Sequence, residues 1–293
     1  MRILITGCRG QLGTELQKQL AEGGSPLGAL PEKLLNADVT AVDIDTFDLS
    51  DRAAVLAFLD EGSYDLCINC AAFTNVNKCE SEPDIAYAAN AMGPRNLAEA
   101  CEATATALMH VSTDYVFAGD AGEPYREYDL PAPVTVYGKT KLAGEHAVRE
   151  RCSHHYIVRT AWLYGYNGNN FVKTILKLAR EKGEVKVVSD QLGNPTSAVD
   201  LAHNMLRLAA TQRYGLYHCT NNGVCSWYDF TCEIMRLARV ECTVTPCTTA
   251  EYPTPAKRPA YSALDNMALR VVCGDGMRDW REAIAEYIAN LNG

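Results

Sequence analysis

From Arg2 to Thr6 the chain is a short apolar run that stops at Gly7, and from Thr14 to Leu20 the apolar positions fall at helical spacing, with Leu16 and Leu20 four apart. This pattern predicts a strand, a tight turn and a helix. The stretch from Gly23-Gly24-Ser25-Pro26 through Pro31 breaks it and predicts a surface loop. Val39 to Val42 reads as a second strand, and Ser50-Asp51 is placed to cap a helix running to about Leu59. Leu66 to Asn69 is a third strand. Pro83 to Glu102 is helical with an interruption at Gly93-Pro94, and Leu108 to Ser112 is a fourth strand. After a Pro-rich loop at 124–133, the pattern predicts a helix from Val136 to Arg149, a strand from Tyr156 to Arg159 and a helix from Phe171 to Glu181.

Strands separated by helices require crossover connections, which make a parallel sheet covered on both faces. The expected fold is therefore α/β, a doubly wound parallel sheet of Rossmann-like type. Beyond about residue 220 the alternation weakens: a helix at Trp227 to Arg239 is followed by a loop, Pro246 to Pro259, with several prolines. That tail predicts a smaller C-terminal substrate domain. The expected division is residues 1–165 plus about 195–220 for the dinucleotide-binding part, and about 166–194 plus 221–293 for the substrate-binding part.

Composition narrows the class. The 293 residues are 47% hydrophobic and 22% charged, ordinary for a folded chain, and 27 Lys and Arg against 36 Asp and Glu give a net charge of -9. An acidic chain without a basic face is not expected to bind nucleic acid or an anionic membrane. No run approaches the roughly 18 consecutive apolar residues of a membrane-spanning helix. The start, Met1-Arg2-Ile3-Leu4-Ile5-Thr6-Gly7, lacks the longer apolar core of a secretory signal, so a cytoplasmic location is expected. Most of the 12 cysteines then read as buried free thiols. Cys67-Ile68-Asn69-Cys70 has zinc-knuckle or redox spacing, but no second such pair accompanies it. No metal is assigned; Glu15 reads as a solvated glutamate on the first helix. The oligomeric state is left open between monomer and homodimer.

Candidate chemistry begins at the first turn. Gly7-Cys8-Arg9-Gly10-Gln11-Leu12-Gly13 sets three glycines between a strand and a helix. Gly7 permits the sharp turn, Gly10 leaves room for a pyrophosphate, and Gly13 lets helix and strand approach. The helix N-terminus offers free N–H groups to the phosphates. Asp43, at the end of the second strand, is placed to accept from adenosine ribose hydroxyls, and it lies farther from the glycines than the usual roughly 20 residues. It would repel a 2'-phosphate that Arg9 would attract, so NADPH and NADH both stand as cofactors.

Tyr137 and Lys141 are four residues apart on one helix face. An ammonium beside a phenol favours the phenolate, which would let Tyr137 act as a proton donor to a carbonyl receiving hydride. At the end of the fourth strand, Thr113 is positioned to bond the same substrate oxygen, and Asp114 follows as a candidate for substrate hydroxyls.

Several segments occur together in one order: Gly7 to Gly13, Asn69 to Val76 (NCAAFTNV), Ser112 to Phe117 (STDYVF), Val136 to Glu145 (VYGKTKLAGE), Arg159 to Tyr164, Gly168 to Phe171, Asp190 to Thr196 (DQLGNPT) and Tyr252 to Ala256. In these the chain resembles, over essentially its whole length, the extended short-chain dehydrogenase/reductases, and within them the dTDP-4-dehydrorhamnose reductases. The resemblance implies nicotinamide-dependent reduction of the 4-keto group of a nucleotide sugar, dTDP-4-dehydro-6-deoxy-L-mannose.

It further implies Tyr137 as proton donor, Lys141 on the nicotinamide ribose, and Thr113 completing the catalytic set. Gly10, Gln11 and Leu12 would contact the pyrophosphate; Asp43, Asp48 and Leu49 the adenosine end; and Ala71, Ala72, Phe73 and Thr74 the middle of the cofactor. Thr113, Asp114 and Trp162 would meet the sugar, with Thr74 and Val76 lining the same cleft. Lys257-Arg258 are candidates for the substrate's pyrophosphate or nucleotide. Phe73 and Asn75 depart from residues common at these places in similar proteins. Sugar 4,6-dehydratases of the same fold resemble Thr-Asp-Glu where this chain has Thr113-Asp114-Tyr115. Another nucleotide-sugar 4-reductase or 4-epimerase of the same fold, and a non-catalytic subunit like the regulatory subunit of methionine adenosyltransferase, stand as alternatives.

Overall fold

In the computed structural model of the protein, which describes residues 1–291, six strands form one sheet in which every neighbour pair is parallel. Across the sheet the order is Gly215–His218, His155–Thr160, Ala107–Thr113, Leu66–Asn69, Arg2–Thr6 and Asp38–Val42. The chain moves outward from Arg2–Thr6 to Asp38–Val42, then crosses to the other side at Leu66–Asn69. That reversal leaves a crevice beyond the carboxyl ends of Arg2–Thr6 and Leu66–Asn69.

Alternation along each strand divides the core in two. Ile3, Ile5, Ile68, Met109 and Val158 face the helices Gln11–Glu22 and Ala198–Ala209 through Leu12, Leu16, Leu201 and Met205. Leu4, Cys67, Leu108 and Ile157 face the opposite way, onto Val55, Leu59, Leu97 and Val148 of the helices Arg52–Gly62, Gly93–Ala103 and Val136–Arg151. Both faces are thus covered, as a parallel sheet demands. A separate apolar cluster joins Val172, Ile175, Leu176, Phe230, Ile234, Trp280 and Ile284. Its strands, Glu184–Val188 and Thr243–Cys247, pair with each other and leave the main sheet.

Several expectations change. The predicted loop at 23–31 contains a small hairpin, Gly24–Ser25 with Gly28–Ala29, followed by a 3-10 turn, and its Leu30 and Leu34 are buried in the first core. The interruption near Gly93-Pro94 is a π-helical turn over Ala88–Met92, so the helix continues through it. The strand Gly215–His218 completes the sheet at its edge. Glu15 is buried rather than solvated: Gln19 Nε2 donates to it at 2.8 Å, and burial raises its pKa. All 12 cysteines are free thiols, Cys67 and Cys70 included.

Candidate active site

The first turn is shaped by close approach. Gly7 has φ +66°, and a Cβ there would lie 2.6 Å from the backbone nitrogen of Ala71; only glycine serves where the chain is left-handed and touches its neighbour. Gly13 would collide with the Gly7 carbonyl in the same way. The helix Gln11–Glu22 opens at Gly10 with no side-chain cap and no acidic residue in its first turn. Its first N–H groups therefore face the crevice free to bind an anion.

Most of the candidate cofactor and substrate residues line one cleft of about 1280 Å³: Gly7, Gly10, Gln11, Leu12 and Gly13 with Asp43, Asp48 and Leu49 at one end, Ala71 to Val76 along the middle, and Thr113, Asp114, Tyr137, Lys141, Trp162 and Arg258 at the other. The space exceeds the roughly 300–1,000 Å³ of a single small-molecule site. It has the size for two extended ligands side by side.

At the glycine end, Asp43 is held by the backbone N–H groups of Arg9 and Ile44, 3.1 and 3.0 Å away. Burial alone would raise its pKa, but these bonds and the Arg9 guanidinium outweigh it and keep the carboxylate below its ordinary value. Arg9 reaches Asp43 at 3.3 Å and Asp45 at 2.9 Å. Asp45 went unrecognised in the sequence, where it is one of several carboxylates in a row.

At the other end, the helix Val136–Arg151 carries Tyr137 and Lys141. Thr135 caps it by accepting from Gly138 N–H at 3.0 Å, and Glu80 accepts from Val136 N–H at 2.9 Å. A buried ion pair pins it to the sheet: Arg159 donates to both oxygens of Glu145, at 2.8 and 2.6 Å, and Ser112 donates to the same carboxylate at 2.5 Å. Asn90 ties the helix to the middle of the cleft, bonding both backbone groups of Phe73 and donating to Thr140 Oγ1 at 3.2 Å. Neither device was read from the sequence. Charged and amide residues on a helix look solvated until their partners are known.

Lys141 is 2% exposed. Its Nζ donates to the Val111 carbonyl at 2.6 Å and lies 3.4 Å from His110 Nε2. Burial lowers its pKa to about 8. Burial also pushes the Tyr137 phenol above its ordinary range, and the Thr113 hydroxyl pulls it back only in part. The spacing of Tyr137 and Lys141 predicts a lysine that acidifies the tyrosine; in the protein alone Tyr137 is instead held protonated by burial. Thr113 Oγ1 donates to Asp114 Oδ1 at 2.8 Å. Burial raises Asp114 to about 6, and its Oδ2 has no hydrogen-bond partner among the described residues.

Trp162 sits at φ +47° with its ring stacked on Trp227, 3.6 Å between centroids. Trp227 was passed over in the sequence because nothing local distinguishes it from a core aromatic. Arg258 enters the cleft, donating to the Tyr115 hydroxyl at 3.0 Å, and Tyr115 packs edge-on against Tyr137. Lys257 is exposed outside it. Among the described residues no group of three or more His, Cys, Asp or Glu is placed to hold a metal, and no helix is long and apolar enough to cross a membrane.

The residues fit a nicotinamide dinucleotide on three structural grounds: an uncapped helix N-terminus at the glycine turn, a carboxylate at the second strand end, and unpaired buried oxygens at the far end. Comparison with known proteins agrees. The dTDP-4-dehydrorhamnose reductase of Streptomyces griseus is 42% identical, across 100% of this chain and 94% of its own. Among solved structures, a dTDP-4-dehydrorhamnose reductase from Clostridium acetobutylicum is 49% identical with a TM-score of 0.94, covering 100% of both chains. The Bacillus anthracis reductase, solved in complex with NADP, is 38% identical with a TM-score of 0.92 and covers 99% of each. The family model described as RmlD substrate binding domain matches residues 1–292, and the chain belongs to that family.

Proposed function

We propose that the protein reduces the 4-keto group of dTDP-4-dehydro-6-deoxy-L-mannose to give dTDP-L-rhamnose, using NADPH or NADH. The observation that carries this reading is the meeting of Thr113, Tyr137 and Lys141 with the glycine turn in a single cleft. A reduced nicotinamide bound there supplies the hydride. Tyr137 then donates its phenolic proton to the carbonyl oxygen, a role suited to a phenol that burial keeps protonated. Thr113 orients the same oxygen. Lys141, as an ammonium, stabilises the phenolate left behind and holds the nicotinamide ribose.

Asp114 and Trp162 are assigned to the sugar, Thr74 and Val76 to the cleft wall beside it, and Arg258 to the substrate's phosphates. Gly10, Gln11 and Leu12 take the cofactor pyrophosphate, Asp43, Asp48 and Leu49 its adenosine end, and Ala71 to Thr74 its middle. Residues 1–165 with about 195–220 serve as the dinucleotide half, and about 166–194 with 221–293 as the substrate half. The separate apolar cluster, built from Tyr164 and residues between Val172 and Ile288, supports most of that division, while Leu269 and Met277 pack in the core of the main sheet. A cytoplasmic site of action suits 12 unpaired thiols.

The test follows nicotinamide absorbance with the 4-keto sugar nucleotide and each cofactor. Turnover is expected, and Tyr137→Phe is expected to lose about 10²- to 10⁴-fold in kcat while binding cofactor normally. Bound cofactor with no turnover of this substrate would overturn the assignment.

A further inference from the structure

Lys141 is a buried amine without a carboxylate. Such groups are almost always paired with one, and Glu145, one turn along the same helix, is engaged by Arg159 and Ser112. Its neighbours are instead the Val111 carbonyl and the ring of His110, which is fully buried on the strand Ala107–Thr113.

The hydrogen bonds beneath it fix which proton that ring carries. Ala71 N–H, a donor only, bonds Asn69 Oδ1 at 3.1 Å, and Thr6 Oγ1 donates to the same oxygen at 2.7 Å. The amide nitrogen of Asn69 must then point the other way, where it meets His110 Nδ1 at 3.0 Å. Nδ1 is therefore the acceptor, and the proton of the neutral ring sits on Nε2. The ring is neutral because burial, and then the nearby lysine, push its pKa well below the ordinary value. An N–H thus faces Lys141 Nζ at 3.4 Å. That donor suits a neutral amine, whose lone pair accepts, and opposes an ammonium, which has none.

We propose that Asn69 and His110 are positioning residues for the reduction: anchored by the Ala71 N–H, they present the Nε2–H of His110 to Lys141 and so disfavour its ammonium form. The inference rests on the reductase reading for its consequence and on the hydrogen bonds and the burial of the ring for its chemistry. The other titratable groups that act on Lys141 are Glu145 on its own helix and the thiol of Cys70 beyond the strand Leu66–Asn69, and Tyr137 precedes it by one turn of the helix. Glu145 favours the ammonium, the Tyr137 phenol is protonated, and burial keeps the Cys70 thiol neutral. With Lys141 needed as an ammonium, the rate should fall as pH rises through about 8.

Two variants move this limb in a stated direction. Asn69→Asp replaces the donor to Nδ1 by an acceptor, which transfers the ring proton to Nδ1 and turns a bare Nε2 toward Lys141. His110→Asn keeps an acceptor for Asn69 and removes the Nε2–H. Each should raise the alkaline limb of kcat by roughly one pH unit with little change in KM at low pH. A loss of rate equal at every pH, with the limb unmoved, would overturn the proposal by showing that the pair only fills space.

A second measurement needs no cofactor, substrate or turnover. In the protein labelled with nitrogen-15 histidine, one ring should remain in the neutral Nε2–H form between about pH 5 and pH 9, and its signals should vanish in His110→Asn. An Nδ1–H form, or titration of that ring, would overturn the proposal even if reduction is observed. The expected tautomer in a protein with no reductase activity would instead count against the reading of function.

Discussion

Two layers of the cleft treat polar atoms in opposite ways. In the layer beneath it, Thr6, Asn69, His110, Ser112, Glu145 and Arg159 are all buried and all hydrogen-bonded, from the first strand across to the fifth. In the layer that lines the cleft, Asp114 Oδ2 and Thr160 Oγ1 are buried without partners among the described residues. A buried unpaired oxygen costs about 1–3 kcal/mol. The lower layer supplies rigidity; the upper layer keeps bonding capacity open for molecules that arrive later.

Breaking the lower layer should have the larger effect. Arg159 and Glu145 are 3% and 5% exposed in their side chains, so Glu145→Gln leaves a guanidinium without its counter-charge in the interior. The expected loss is about 3–5 kcal/mol in urea unfolding. Tyr137 and Lys141 ride on the same helix, so the variant that remains folded should also lose rate with both cofactors alike. A change below 1 kcal/mol would mean that the pair is solvated and that the two layers do not differ as described.

Relieving the upper layer should do the reverse. Burial raises Asp114 to about 6 from an ordinary aspartate value near 4. The folded protein therefore holds a proton that the unfolded chain has released, and stability falls as pH rises from about 4 to about 6. Asp114→Asn removes this slope. The variant should match the parent near pH 4 and be more stable at pH 7 by up to about 3 kcal/mol, while activity on the sugar nucleotide drops by roughly tenfold or more with loss of the proposed substrate contact. Parallel stability curves for parent and variant across that range would show that Asp114 is solvated in the native state.

The same contrast explains what could be read from the sequence. The glycine turn, Tyr137 with Lys141, and Thr113 with Asp114 are local patterns, and the parallel sheet follows from the spacing of strands and helices. The lower layer is not local. Glu145 and Arg159 are 14 residues apart, and Thr6, Asn69 and His110 come from three strands. Each alone is an ordinary polar residue at a strand end or on a helix. The hairpin at 24–29 and the pair Glu184–Val188 with Thr243–Cys247 escaped for the same reason, since a two-residue strand has no period and the longer pairing joins segments 59 residues apart. Buried Glu15 is the clearest miss: its partner Gln19 lies one turn away, but burial comes from the distant helix Ala198–Ala209, where Gln19 also donates to the Val199 carbonyl at 2.9 Å.

The adenosine end tests how far the contrast extends, because its charges are neither buried nor unpaired. Arg9 is exposed and shared between Asp43 and Asp45, and exposed pairs contribute about 0–1 kcal/mol. Arg9→Ala should therefore leave unfolding nearly unchanged. It should act on cofactor choice, since it removes a cation shared by two carboxylates: KM for NADPH should rise by roughly tenfold, about 1.4 kcal/mol, with KM for NADH nearly constant. Asp43→Asn should lower the ratio of NADPH to NADH KM by removing charge that faces a 2'-phosphate. If both variants shift the two cofactors equally, Arg9 and Asp43 shape the turn and do not read the ribose.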